Sequence, residues 1–257
     1  MSIAIDLSGK VAIITGGSQG IGRSTAERLV QAGAQVSLCA RRPHLLEEVK
    51  TQLGVDRVLT TPADVAVAED IDRVVRATLE RFGRIDILVN NAGTSMRGAF
   101  ESVSDEQWRH DFDLKLFAAV RFCRQVIPSM RAQGGGRIIN VTNFISKQPF
   151  ARSVPTSVSR AAGLALTKAL SKEFAVDNIL VNTVCMGFVH AAQHETKAQQ
   201  MGLGLPEYYA KLAGEIPLGR VGETREAADV ILFLASSLAS YVTGTSINVD
   251  GGICAVL

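Results

Sequence analysis

Residues 11–22 read Val-Ala-Ile-Ile-Thr-Gly-Gly-Ser-Gln-Gly-Ile-Gly, and no other stretch of the chain narrows its fold as far. A short apolar run, Val11 to Ile14, ends in a glycine-rich turn. An amphipathic segment carrying Ile21, Ala26, Leu29 and Val30 follows at once. The pattern predicts a strand, a tight loop and a helix. Gly16, Gly20 and Gly22 let backbone approach a bulky anion. A helix opening at Gly20 aims its free N–H groups and positive dipole end at the same place, and a pyrophosphate is the natural guest. The glycine spacing alone is weak evidence; its setting between strand and helix makes it specific.

The rest of the chain repeats that alternation. Val- and Ile-rich runs predict strands at 10–15, 35–40, 57–61, 85–90, 136–142, 179–184 and 246–249. Longer periodic runs predict helices at 20–32, 43–53, 67–82, 104–132, 155–176 and 224–238. After Asp64 the helical period is plain: Ile71, Val74, Val75, Leu79, Phe82. Strands unbroken by polar residues are buried on both faces, which implies a parallel sheet with helices on each side. The expected fold class is therefore α/β: a single Rossmann-type domain over 1–257, with a seven-stranded doubly wound parallel sheet and helices on both faces. A chain of 257 residues, 47% of them hydrophobic, can fill one such core.

Net charge is +2, with acids and bases spread along the chain, and no basic block suggests nucleic acid. No apolar run is long enough to span a bilayer, and the first residues, Met-Ser-Ile-Ala-Ile-Asp, carry no signal-peptide pattern. Cys39, Cys123, Cys185 and Cys254 are isolated, without a paired or His-flanked arrangement. The expectation is a cytoplasmic protein with neither disulfides nor structural metal. One segment breaks the alternation. Residues 188–219 are polar, glycine-containing and longer than an ordinary connection, and are expected to form a lid over a site; a pair of surface helices is the plainer alternative.

Several further motifs stand at strand ends: Asp64-Val65, Asn90-Asn91-Ala92-Gly93, Pro217-Leu218-Gly219-Arg220, Thr243-Gly244 and Val249-Asp250-Gly251-Gly252. With Thr15-Gly16-x-x-x-Gly20-Ile21-Gly22 they make the chain resemble the short-chain dehydrogenase/reductase family from about residue 8 to 253, and acyl-carrier-protein ketoreductase-like members most nearly. The resemblance implies a nicotinamide dinucleotide, a small-molecule substrate and a homotetramer or homodimer. It further implies that Asn90 ties the fourth strand to the glycine loop and that Asp64 bonds the adenine amino group; helix capping is the alternative role for Asp64. The implied dinucleotide contacts are Thr15, Gly16, Ser18, Gln19, Gly20, Ile21, Gly22, Arg41, Arg42, Asp64, Val65, Asn91, Ala92, Gly93, Arg160, Gly187 and Val189.

The end of the second strand selects the dinucleotide. An acid there would accept hydrogen bonds from the adenosine 2′-hydroxyl and repel a 2′-phosphate. This chain has Cys39-Ala40-Arg41-Arg42, and Arg41 can clamp a phosphate bidentately while Arg42 adds charge. NADP(H) is expected, although Gln19 stands where a basic residue is frequent in NADP-preferring relatives.

The reaction end departs from the family. The resemblance places its Tyr at Thr156, its Lys at Arg160, its Ser at Asn143 and its Asn at Lys115. A Thr hydroxyl is a far poorer acid than a phenol, and Arg stays protonated. Asn143 can donate to a carbonyl oxygen. Lys115, buried beside Arg160, would lose affinity for its proton and serve as a displaced acid; alternatively it pairs with Asp111 or Asp113. The 188–219 segment adds His190, His194, Tyr208 and Tyr209, with His190 the strongest candidate by position. Helical geometry is expected to turn Ser157 and Ser159 away from Thr156. The candidate catalytic set is thus Lys115, Asn143, Thr156, Arg160 and His190. Met201, Leu203, Leu205, Tyr208 and Tyr209 suggest an apolar or acyl substrate, with plain packing residues as the alternative. The expected activity is NADP(H)-dependent oxidoreduction of a carbonyl or hydroxyl compound. The alternatives are an NADP(H)-binding sensor or scaffold, and a lyase or isomerase using the same cleft.

Overall fold

The computed structural model describes residues 4–191 and 193–256; Met1–Ile3, Ala192 and Leu257 of the expected 1–257 domain lie outside the described residues. Seven parallel strands form one sheet: β1 (Val11–Thr15), β2 (Gln35–Ala40), β3 (Val58–Pro62), β4 (Ile87–Asn90), β6 (Gly136–Asn143), β8 (Ile179–Met186) and β9 (Ser246–Val249). Their order is β3-β2-β1-β4-β6-β8-β9. The order reverses beside β1, so a crevice opens between the loops that follow β1 and β4. Arg97–Gly98 (β5) and Val154–Pro155 (β7) form a separate antiparallel pair.

Strand alternation sends neighbouring residues to two apolar layers. Ala12, Ile14, Val36 and Leu38 pack under α1 (Gly20–Gln31), α2 (Pro43–Leu53) and, further along the sheet, α9 (Thr224–Ala235) through Ala26, Leu29, Leu46, Ile231 and Leu234. Ile13, Leu88, Ile138 and Val181 face the opposite layer. There α3 (Ala68–Phe82) contributes Ile71, Val74 and Val75, and α5 (Ala118–Ala132) contributes Phe122, Val126 and Met130. Burying one such side chain contributes roughly 1.5–3 kcal/mol, so the two layers hold the strand ends rigid.

The expected helix over 104–132 is three pieces. A Ser104–Gln107 capping box starts α4 (Asp105–Phe112), a π-helical turn spans Asp113–Phe117, and α5 follows. Such widened turns add a residue to the helical ladder, and this one carries Lys115. Next come α6 (Thr156–Glu173), α7 (Gln193–Gln200) and α8 (Leu205–Ala213), the last two within the 188–219 segment. That segment has its own small core of Ala198, Tyr208, Leu212, Ile216 and Val221, with Leu203, Leu205 and Tyr209 packed against it. Leu203, Leu205, Tyr208 and Tyr209 pack together, Met201 is exposed, and none of the five lines the main cleft, which favours the packing alternative. No helix of the described residues is long and apolar enough to cross a membrane.

Candidate active site

A cleft of 740 Å³ lies over the ends of β1, β2, β4, β6 and β8. Gly16, Ser18, Gln19, Gly20, Ile21, Arg41, Arg42, Asp64, Val65, Asn91, Ala92, Gly93, Arg160, Gly187 and Val189 line it, as does Asn143. Thr15 and Gly22 lie buried beneath its floor.

The glycine loop is built by backbone. Gly16 and Gly20 adopt φ of 66° and 56°, in the left-handed region that glycine enters without strain. A Cβ on Gly22 would collide with the Gly16 carbonyl oxygen and lie 2.6 Å from Asn91 Nδ2. The helix α1 has no side-chain cap and no acid in its first turn. Its first N–H groups are therefore left for a ligand anion.

Asn91, not Asn90, secures this loop. Its Nδ2 donates to Thr15 O at 2.8 Å, and Thr15 Oγ1 accepts from the Asn91 and Ala92 backbone N–H groups, both at 2.9 Å. Asn90 instead donates to Asn140 Oδ1 at 2.9 Å. The pleat explains the exchange: consecutive residues point to opposite sides, so only one of the pair can reach β1. Asp64 does not cap α3, whose N-cap is Val67. Its Oδ1 accepts from Ala66 N at 3.0 Å and its own N–H donates to Asp70 at 2.7 Å, which shapes a turn beside the cleft. Arg42, at the N-cap of α2, donates to Gln19 Oε1 and so reaches back over the glycine loop.

Lys115 and Thr156 are enclosed behind the cleft wall. The Lys115 side chain has no solvent exposure; its ammonium pairs with Asp111 and donates to Thr156 Oγ1 at 2.7 Å. Thr156 Oγ1 donates to Met96 O at 2.7 Å and accepts from Met96 N at 3.0 Å, so the hydroxyl is saturated. Ser159 does not turn away: its Oγ donates to Asp111 Oδ2 at 2.6 Å. Three residues on a helix is nearly a full turn, which returns Ser159 to the face of Thr156. Burial, then the nearby Arg160 charge, lowers the Lys115 pKa to about 8 against the opposing pull of Asp111.

Unlike Lys115, Arg160 reaches the cleft. Nη1 donates to Val141 O at 2.5 Å, Nη2 runs so close beneath Gly93 that a Cβ there would collide with it, and Nε is buried without a partner. Burial lowers its pKa to about 10, so it stays charged at neutral pH. Asn143 Oδ1 is likewise buried and unpartnered. Unsatisfied buried atoms are unfavourable by about 1–3 kcal/mol each. The uncapped start of α1 fits a bound dinucleotide, and the unpartnered Arg160 Nε donor beside the Asn143 Oδ1 acceptor fits a substrate hydroxyl.

His190 does not line this cleft but an adjoining recess that shares Gln19, Gly20 and Ala191 with it. There it joins Glu195 and Tyr209, packs against the Tyr209 ring at 4.2 Å and sits 3.5 Å from Glu223. His194 lines the main cleft instead, together with Thr94, Ser95, Arg97 and Lys197. Sequence reading missed Arg97 and Lys197. For Lys197 a signal existed: it lies three residues after His194, on the same helical face.

Residues 16–254 match the family model described as enoyl-(acyl carrier protein) reductase. A 3-oxoacyl-(acyl-carrier-protein) reductase of Vibrio cholerae is 34% identical over 249 residues, covering 97% of this chain and 99% of the relative. The chain belongs to the short-chain dehydrogenase/reductase family. Among solved structures, L-sorbose reductase from Gluconobacter frateurii, complexed with NADPH and L-sorbose, has a TM-score of 0.96 at 36% identity, covering 99% of this chain and 100% of that one. An NADPH-bound short chain oxidoreductase from Pseudomonas aeruginosa PAO1, described as containing an atypical catalytic center, has a TM-score of 0.92 at 35% identity, covering 98% and 100%. Short-chain dehydrogenases/reductases are oxidoreductases of carbonyl and hydroxyl groups that use a nicotinamide dinucleotide.

Proposed function

We propose that this protein is an NADP(H)-dependent carbonyl reductase or alcohol dehydrogenase in which Arg160 and Asn143 hold the reacting oxygen. The observation that carries this reading is the Arg160 guanidinium, charged, facing the cleft and unsatisfied at Nε. Arg41 and Arg42 supply the preference for a 2′-phosphate, and the Arg42–Gln19 bond brings positive charge to the one loop position where the sequence lacks it. The dinucleotide supplies the hydride when bound. In reduction the hydride goes to the carbonyl carbon and a proton must reach the oxygen. Arg160 stabilises the negative charge that develops on that oxygen, held in place by its bond to Val141 O. The oxygen would take its proton from solvent in the open cleft, while Lys115, enclosed against Asp111 and Thr156 beside Arg160, stores a proton that can leave near neutral pH. Thr156, Ser159 and Asp111 are positioning residues that keep the ammonium there. The 188–219 segment acts as the lid.

The saturated Thr156 hydroxyl favours a second reading, NADP(H) binding without turnover, because it cannot replace a Tyr as proton donor. Titration with NADPH and NADH, then NADPH oxidation across a panel of carbonyl compounds, separates the two. Tight NADPH binding with turnover that Arg160→Met abolishes supports the oxidoreductase. Tight binding with no turnover supports the sensor or scaffold, and no binding of either dinucleotide removes both.

A further inference from the structure

The chain's cationic side chains are distributed unequally in the cleft. Five line it, Arg41, Arg42, Arg97, Arg160 and Lys197, against one carboxylate, Asp64. Arg41 and Arg42 stand beside the glycine loop and Arg160 lies under Gly93, which leaves Arg97 and Lys197 without a part in the chemistry so far described.

Their placement is at the reaction end. Arg97 pairs with Pro155 across the β5–β7 ribbon, and the preceding residue, Met96, bonds Thr156 at the start of α6. The Arg97 guanidinium stacks over Phe150 at 5.6 Å, which holds its direction. Lys197 approaches from α7, carried in by the 188–219 segment. Among the described residues neither cation has a carboxylate in ion-pair contact. One turn before Lys197, His194 is buried at 4% exposure, and its Nδ1 has no hydrogen-bond partner.

Two cations brought together without a counterion repel, and a buried unpaired nitrogen forfeits the hydrogen bond it would make in water. Burial and then Arg97 lower the Lys197 pKa to about 8; burial, Lys197, His190 and Arg97 lower that of His194 to about 4. An anion placed between them relieves all three at once. Ala198, Tyr208 and Leu212 of α7 and α8 are buried in the segment's own core and leave the polar face of α7 toward the cleft.

We propose that Arg97, Lys197 and His194 Nδ1 bind an anionic group, a carboxylate or a phosphate, on the substrate, so that the compound oxidised or reduced is an anionic alcohol or carbonyl compound. This rests on the oxidoreductase reading of the same cleft. The anchor ties the lid to the substrate: closing α7 over the anion completes the clamp, and a neutral substrate gains nothing from that closure.

Two measurements test the assignment. In the first, malonate and inorganic phosphate are titrated calorimetrically into the protein, with and without saturating NADPH. The wild type binds one of the two anions; the paired variant Arg97→Gln/Lys197→Gln weakens it by about a hundredfold, and Lys197→Arg retains it. In the second, NADPH oxidation is followed with 3-oxo acids against their methyl esters, and with phosphorylated ketones against the unphosphorylated ketones. The anionic form has a KM at least about tenfold below its neutral partner, and the ratio collapses toward one in the paired variant. Equal KM values for both forms in the wild type, or anion binding unchanged in the paired variant, overturns the assignment. Failure to bind NADPH would sink the oxidoreductase reading, while the anion titration without dinucleotide still reports on the corner itself.

Discussion

The two ends of the cleft are built by different means. At the glycine loop the contacts are backbone groups at strand ends and a helix start, placed by residues within one short segment and locked by Thr15 and Asn91. At the reaction end the groups are long side chains drawn from the π-turn, α6, the loop after β4 and the 188–219 segment. At Gly22 the backbone cradle leaves no room for an added atom, whereas a side-chain site can exchange its members and keep its charge. That difference would let a chain keep a dinucleotide cradle while the side chains at the reaction end, Thr156 and Arg160 among them, vary.

The comparison can be broken most sharply at Lys115. Lys115→Met leaves the Asp111 carboxylate buried without its cation and should destabilise the fold by about 3–5 kcal/mol, read from denaturant unfolding. The pH dependence follows from the same group. Its folded pKa, about 8, lies below the ordinary lysine value of 10.5. Between those values the unfolded chain holds a proton that the fold does not, so stability rises with pH across that window; below it the cost of burying the charge is fully present. The variant should lose that slope. If it keeps the slope, another group carries it and the proton store assigned to Lys115 fails.

Next in size is Arg160→Met, expected to lower kcat about 10²–10³-fold with a much smaller change in NADPH affinity. An equal loss in both would place Arg160 on the dinucleotide alone. Gly22→Val tests the cradle: the added atoms meet the Gly16 carbonyl and Asn91, and overpacking of about 1–3 kcal/mol should appear as weaker NADPH binding and a lower Tm. Unchanged affinity would mean the loop yields freely. Smallest is Arg41→Ala, which should narrow the preference for NADPH over NADH by about tenfold, about 1.4 kcal/mol, while NADH affinity holds. A preference left intact would assign the 2′-phosphate to Arg42 alone.

The amino-acid sequence by itself determined the alternation of strands and helices, the parallel sheet and the glycine loop. Each depends on periodicity and glycine placement over a dozen residues, where local sterics and burial act together. Tertiary structure alone decided which Asn of the Asn90–Asn91 pair secures the loop, that Ser159 shares the Thr156 network, and that His190 stands outside while His194 lines the cleft. It also brought Arg97 and Lys197, a hundred positions apart in the numbering, to one corner. Those outcomes turn on pleat direction, on a widened helical turn and on the packing of a segment with its own core. None of these leaves a repeating pattern in the chain, because each is settled by contacts between residues far apart in sequence.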